Sequence, residues 1–314
     1  MALHQHVFAQ PLTGTSGHAV RSGITTQQPE APLITKYGTG FPSPPTFDDK
    51  MEEREYLKGR LAAAFRIFGA RGFDEGIAGH ITIRDPVEPD TMWINPFGNS
   101  FSTLRRSDLV RVDYEGNVLE GGRNRLINRA GIMIHRGLYQ ARPDVRCAAH
   151  SHSIFARAFS TLGLPFPITS QDACAFYNVC ISAMHYAFGL HTDSRSQDVA
   201  TSTFEGIVLE GDEGTHIAQA LGQKKAIILQ NHGLLAASDT VEATVFWYVS
   251  LEKLCHVHLT ALAAVGGDLN KIVQVKDEDA AETYKSLGLP LSGWFSAKPM
   301  FDEIAQQTQE SYLA

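Results

Sequence analysis

A chain of 314 residues with 43% hydrophobic and 19% charged side chains holds enough apolar material for one large domain or two small ones. The formal net charge is −7 and no basic run occurs, so the electrostatic footprint of a nucleic-acid partner is missing. No apolar stretch approaches the roughly 20 residues that span a bilayer, and the first twenty residues show neither a secretory nor a transit pattern.

The four cysteines (Cys147, Cys174, Cys180, Cys255) form no C-x-x-C pair and sit in apolar company, as buried thiols of a reducing compartment do. A cytoplasmic protein without a membrane partner is expected. Residues 1–45 are rich in Gly, Pro, Ser, Thr and Gln and have little apolar surface to offset ordering, so a flexible arm is expected there. A helix then starts at Asp48 or Asp49, both good caps, and runs through "KMEEREYLKGRLAAAFRIFGARG". Short strands follow in "IAGHITIRD", "TMWINP" and "LVRVDYEGNVLEG", the last folding on itself as a hairpin.

In "NRAGIMIHRGLYQARPD", Ile134 and Leu138 share one face of a helix that Arg142-Pro143 breaks. "VRCAAH" reads as a buried strand, "SIFARAFSTLG" and "DEGTHIAQALG" as helices closed by glycine, and "KAIILQNHG" as a strand entering a tight turn. The segment 185–206 lacks periodicity and reads as an insertion loop. A long helix fills "TVEATVFWYVSLEKLCHVHLTALAAVGG", with Ala243, Trp247, Ser250, Leu254, Val257 and Ala261 facing inward. Interleaved helices and hairpin-connected strands predict an α/β fold with a mixed sheet between helices.

His150 and His152 follow a buried strand, and side chains two apart on extended backbone point to one face. His232 lies just past a second apolar strand, where Gly233 lets the chain turn. Three imidazoles so placed could hold a divalent ion and leave a coordination position open. Strand-end histidines also serve as plain hydrogen-bonding residues, and spacing alone does not separate the two readings.

Over residues 50–266 the sequence resembles the class II aldolase/adducin family. "GIAGHITIRD", "INPFG", "LVRVDYEGNVLEGG", "IHRGLYQARPDVRCAAHSHS" and "LQNHGLLAASDTVEAT" match its motifs in order. The resemblance implies a single αβα domain over 46–270 and a C-terminal extension, 271–314, packed on that domain or on a neighbouring subunit. It also implies a homotetramer and one divalent ion, usually zinc, on His150, His152 and His232.

The sugar-phosphate aldolases of the family carry Ser-Ser-Glu ahead of their His-x-His, and the glutamate handles the substrate proton. Here Arg129, Ala130 and Gly131 stand in those places, and Gly131 has nothing to titrate. His80 replaces the family asparagine, and Asn95 and Phe97 replace small polar residues of the phosphate turn. A phosphate site wants hydroxyls and free amides, so a non-phosphorylated substrate is expected.

Candidates for the missing acid/base are His80, Glu75, Gln171 and Tyr177; Gln171 aligns near a tyrosine that the aldolases take from a neighbouring subunit. Asn95, Gly98 and Arg129 are the substrate-contact candidates, Arg129 either as a bidentate clamp for a carboxylate or as the partner of an acidic neighbour. The departures resemble the adducin-like branch, so two functions follow. One is a metal-dependent lyase forming an enolate from a small oxygenated molecule, by aldol cleavage or decarboxylation. The other is a non-catalytic scaffold with a structural metal, although adducin's long basic tail has no counterpart in this sequence.

Overall fold

The expected first helix runs over Lys50–Ala70 (α1), with Asp49 as its cap accepting a 2.7 Å bond from the Met51 amide. The computed structural model of the protein describes residues 42–177, 198–204 and 211–314. Most of the arm, Cys180 and most of the segment 185–206 lie outside the described residues.

Eight strands form one sheet: β1 His80–Arg84, β2 Thr91–Ile94, β3 Val110–Asp113, β4 Val118–Gly121, β5 Cys147–Ser151, β6 Val199–Ser202, β7 Ala226–Leu229 and β8 Gly233–Ser238. Their spatial order is β4-β3-β2-β1-β5-β8-β7-β6. Every pairing is antiparallel except β6 with β7. The sheet is mixed, as the hairpin-rich first half and the later crossovers predict. β6 corrects the reading of 185–206 as a loop throughout. Its four residues carry too little periodicity to announce a strand, and the free edge of β7 supplies their partners.

The other α-helices among the described residues are α2 Arg129–Ala141, α3 Ile154–Ser160, α4 Gly211–Leu221, α5 Val241–Ala264, α6 Asp277–Leu287 and α7 Pro290–Thr308. Strand alternation splits the core in two. Ile81, Ile83, Cys147 and Ala149 face α1, α3 and α5, while Met92, Ile94, Ala148 and Leu235 face α2 and α4. Ile134 and Leu138 of α2 are buried, as their spacing predicts.

On α5 the expected inward stripe fails at Val257, which is 53% exposed; Cys255 and His258 take the buried side of that turn. The first half of α5 is enclosed on nearly all sides, so its hydrophobic pattern carries little information about which face is inward. Beyond it, Ala297, Phe301 and Ile304 of α7 join the α1/α5 core, with the Arg60 guanidinium 3.9 Å from the Phe301 ring centroid. Lys225 ties this extension to the sheet edge. Its ammonium donates to the Ala175 and Gly288 carbonyls at 2.8 and 2.6 Å, and burial lowers its pKa to about 8 against the opposing pull of Asp198.

Candidate metal centre

Antiparallel pairing places the C-terminal end of β5 between the N-terminal ends of β1 and β8, so four strand ends meet at one edge. His80 pairs with His150 across β1/β5, and the β7–β8 turn delivers His232. In that turn the His232 amide bonds the Leu229 carbonyl at 3.0 Å. Asn231 takes the left-handed conformation, φ 55°, which asparagine tolerates better than most residues. Gly233 is needed for close approach and not for a sharp turn, since a Cβ there would lie 2.5 Å from the Ser151 carbonyl oxygen.

The rings of His150, His152 and His232 gather with centroids 4.7–5.2 Å apart, and one nitrogen from each falls within 4.8 Å of the others. His150 Nδ1 lies 2.9 Å from the Leu234 carbonyl, which can only accept, so Nδ1 carries the hydrogen and Nε2 keeps its lone pair. Burial pushes the His150 pKa well below 6.5 and that of His232 to about 4, and the neighbouring imidazoles add to the effect. His152 is lowered by burial and then by Arg157, with Glu75 opposing. Three neutral imidazoles converging at this spacing offer three nitrogen donors, and the residues fit a divalent cation.

The volume beside Gly131 belongs to His80. A Cβ built on Gly131 would lie 2.8 Å from Cγ and 2.9 Å from Cδ2 and Nδ1 of the His80 ring, so no side chain fits there while His80 holds its place. His80 is buried, and neither ring nitrogen has a hydrogen-bond partner among the described residues. Its ring centroid lies 5.1 Å from that of His150 and 4.5 Å from that of His135 on α2. His135 Nδ1 is 2.7 Å from Thr82 Oγ1, itself 2.7 Å from the Tyr139 hydroxyl, so a buried polar chain runs behind His80.

The other candidates fare differently. Both carboxylate oxygens of Glu75 are taken by Arg157, at 2.6 and 2.8 Å, so Glu75 is committed to an ion pair within electrostatic reach of His152. Gln171 is exposed ahead of the short turn Asp172–Phe176, and Tyr177 is packed in the α5-side core. Among the described residues no ring or hydrogen-bond contact joins either to the triad, and an aromatic in "CAFYN" serves the core instead.

Asn95 is buried with an unpartnered Oδ1, Gly98 takes φ 88° with open space around it, and Arg129 is exposed in the first turn of α2. The Asn95–Gly98 loop is tied to the approach to α2 by the Phe97 amide on the Leu126 carbonyl at 2.8 Å. Sequence reasoning missed His135, Thr82 and Tyr139. The signal was the four-residue spacing of Gly131, His135 and Tyr139, which puts all three on one side of α2. Phe204 was missed as well; its ring lies 6.5 Å from that of His232.

These depressed pKa values make a prediction for stability. A histidine whose folded pKa lies below its unfolded value of about 6.5 binds its proton more readily unfolded, so its stabilising effect is complete above that pH and lost as pH falls. Burial lowers His135 to about 3 and His232 to about 4, so the window opens at about 6.5 and closes at about 4 for His232 and about 3 for His135. Fully buried His135 contributes ~1.4 kcal/mol per pH unit there, and part-exposed His232 less. Urea unfolding of chelator-treated protein should show a level midpoint above pH ~7 and a steep fall below ~6. A midpoint that stays level to pH ~4.5 would contradict neutral buried imidazoles.

The family model "Class II Aldolase and Adducin N-terminal domain" matches residues 59–259. The chain is 39% identical over 263 residues to Decarboxylase NovR of Streptomyces niveus, spanning 83% of this chain and 88% of that protein. It is likewise 39% identical to 4-hydroxy-3-prenylphenylpyruvate oxygenase/4-hydroxy-3-prenylbenzoate synthase of Streptomyces roseochromogenus subsp. oscitans, over 83% of this chain and 86% of that one. A solved structure, L-fuculose 1-phosphate aldolase from Glaciozyma antarctica PI12, superposes with a TM-score of 0.73 at 43% identity, covering 86% of this chain and 96% of its own. With the αβα layers and the histidine edge in place, the protein belongs to the class II aldolase and adducin family.

Proposed function

We propose that the chain is a metal-dependent lyase that breaks a carbon–carbon bond in a small, non-phosphorylated, carboxylate-bearing carbonyl compound. The observation that carries this is the unpartnered, fully buried His80 imidazole standing against the metal triad in the volume the family glutamate would need. A divalent ion on His150, His152 and His232, zinc being the expected one, supplies Lewis-acid polarisation of a substrate oxygen and charge for a developing enolate.

The chain's own residues do the rest. His80 exchanges a proton with the reacting carbon or its oxygen through one of its free nitrogens, and the Thr82–His135 pair behind it limits how far it can swing. Arg129, exposed and without an ion pair among the described residues, holds the substrate carboxylate, and the Asn95–Gly98 turn is tied to the chain that leads into its helix. Phe204 is 53% exposed beside His232 and Phe97 stands in the phosphate turn, which suits an aryl or alkyl group better than a polyol. Decarboxylase NovR supports the reaction class. The relative named for a phenylpyruvate supports an aryl-bearing acid as substrate, while its name, an oxygenase, describes a different reaction, which turnover that requires oxygen would favour. The family's usual assembly makes a homotetramer the expected form.

The L-fuculose 1-phosphate aldolase at 43% identity favours a second reading, aldol cleavage of a sugar phosphate. Arg129-Ala130-Gly131 speaks against it, because neither hydroxyl nor carboxylate remains where those enzymes keep both. The test offers metal-loaded protein arylpyruvates, 2-hydroxy acids and L-fuculose 1-phosphate, following carbon dioxide and aldehyde release with and without oxygen. Oxygen-independent turnover of a non-phosphorylated acid is expected, and His80→Asn should reduce it by roughly 10²–10⁴-fold with the metal retained. Turnover of the sugar phosphate alone would sink the substrate assignment, and a metal-loaded protein inert to all would favour the scaffold.

A further inference from the structure

We propose that Glu252 and Tyr248, one turn apart on α5, are positioning residues for the metal-binding His152, acting through the chain on either side of it. This rests on the reading of the three histidines as a metal centre. His150 has its ring fixed by the Leu234 carbonyl, whereas the ring of His152 makes no hydrogen bond among the described residues. What places its ring beside those of His150 and His232 is the backbone that holds its Cα and Cβ.

That backbone is clamped from α5. Glu252, 4% exposed, accepts from the Ser153 hydroxyl and the Ala156 amide on Oε2, both at 2.7 Å, and from the Phe155 amide on Oε1 at 2.8 Å. Tyr248 shares its hydroxyl proton between the Ser151 carbonyl at 3.1 Å and Ser153 Oγ at 3.0 Å. Ser151 in turn donates to the Phe73 carbonyl at 2.7 Å. Both neighbours of His152 are thus held by buried bonds.

The seven-residue α3 that begins after His152 gets no cap from the Ser153 side chain itself; the distant carboxylate caps it instead. A buried carboxylate is costly unless its lone pairs are satisfied, and here three donors from one turn satisfy it. Glu252 is built to fix this turn, in the way outer partners fix the ligands of metal sites.

The test measures Zn(II) and Co(II) binding by chelator competition on the full-length metal-free protein, with the Co(II) visible spectrum and thermal unfolding recorded alongside. Glu252→Gln should weaken binding by roughly 10–100-fold and alter the Co(II) spectrum. Glu242→Gln is the control: Glu242 is equally buried on the same helix but bonds Arg60 and Tyr56, away from the turn. It should lower thermal stability and leave metal affinity unchanged. Parent-like binding by Glu252→Gln, or equal weakening by Glu242→Gln, overturns the proposal. Should Glu252→Gln fail to fold, Tyr248→Phe decides, since it removes one hydroxyl and keeps the ring; several-fold weaker binding supports the clamp and unchanged binding refutes it. If the parent itself binds neither ion, the metal-centre reading fails and the clamp falls with it.

Discussion

Replacing His150 with alanine is expected to strip the divalent ion from the purified protein and reduce any turnover by at least about a thousandfold. Of the three histidines it has the least freedom. It is 1% exposed, its Nδ1 is anchored on the Leu234 carbonyl, and its ring lies 4.7 Å from that of His232 and 5.2 Å from that of His152. Loss of an outer partner of a metal ligand already weakens binding by roughly 10–100-fold, so loss of the ligand itself must exceed that. The metal-free fold should survive, because the change removes one hydrogen bond and part of one side chain. Metal analysis after gel filtration should find about one ion per chain in the parent and none in His150→Ala. His258→Ala, which truncates another buried histidine on α5, should keep the ion. A His150→Ala protein as metal-rich as the parent would remove the centre from this site.

The second large effect is a coupling between positions 131 and 80. Gly131→Ala puts a methyl group within 2.8–2.9 Å of three His80 ring atoms, and that ring is hemmed in by His135 and His150. Overpacking of this kind costs about 1–3 kcal/mol, and so many contacts on a confined ring place it in the upper part of the range. It therefore outweighs the roughly 1 kcal/mol that alanine gains over glycine inside a helix. A net loss of about 1–2 kcal/mol is expected in urea unfolding. His80→Asn, with a smaller side chain, should recover most of it, giving a coupling of about 1–2 kcal/mol in the double-mutant cycle. Additivity within ~0.5 kcal/mol would mean that the two positions do not compete for one space. By the same logic Gly131→Glu should be tolerated only alongside His80→Asn.

Much of this architecture was legible in the amino-acid order. The Asp48-Asp49 pair announces α1, Ile134 and Leu138 reveal the buried face of α2, and the Glu115-Gly116-Asn117 turn marks the β3–β4 hairpin. These are local signals, carried by caps, by a 3.6-residue period and by turn chemistry, and each depends on neighbours a few residues away. His150 and His152 were legible for the same reason, since two residues apart on a strand means one face. The signals weaken where enclosure is complete or the element is short, which is why Val257 turned outward and Val199–Ser202 joined the sheet unannounced.

The sequence by itself determined most of the elements up to about residue 266 and the shared face of His150 and His152, and the family resemblance it carries marked the loss of the glutamate at Gly131. Only the tertiary structure decided what fills that gap. Whether His80, Glu75 or Tyr177 stands there depends on which strand lies under α2 and which side chain Arg157 or the core has already taken. Packing is a through-space property between segments far apart in the chain: the ring at position 80 excludes a side chain at position 131 because the helix lies directly on that strand.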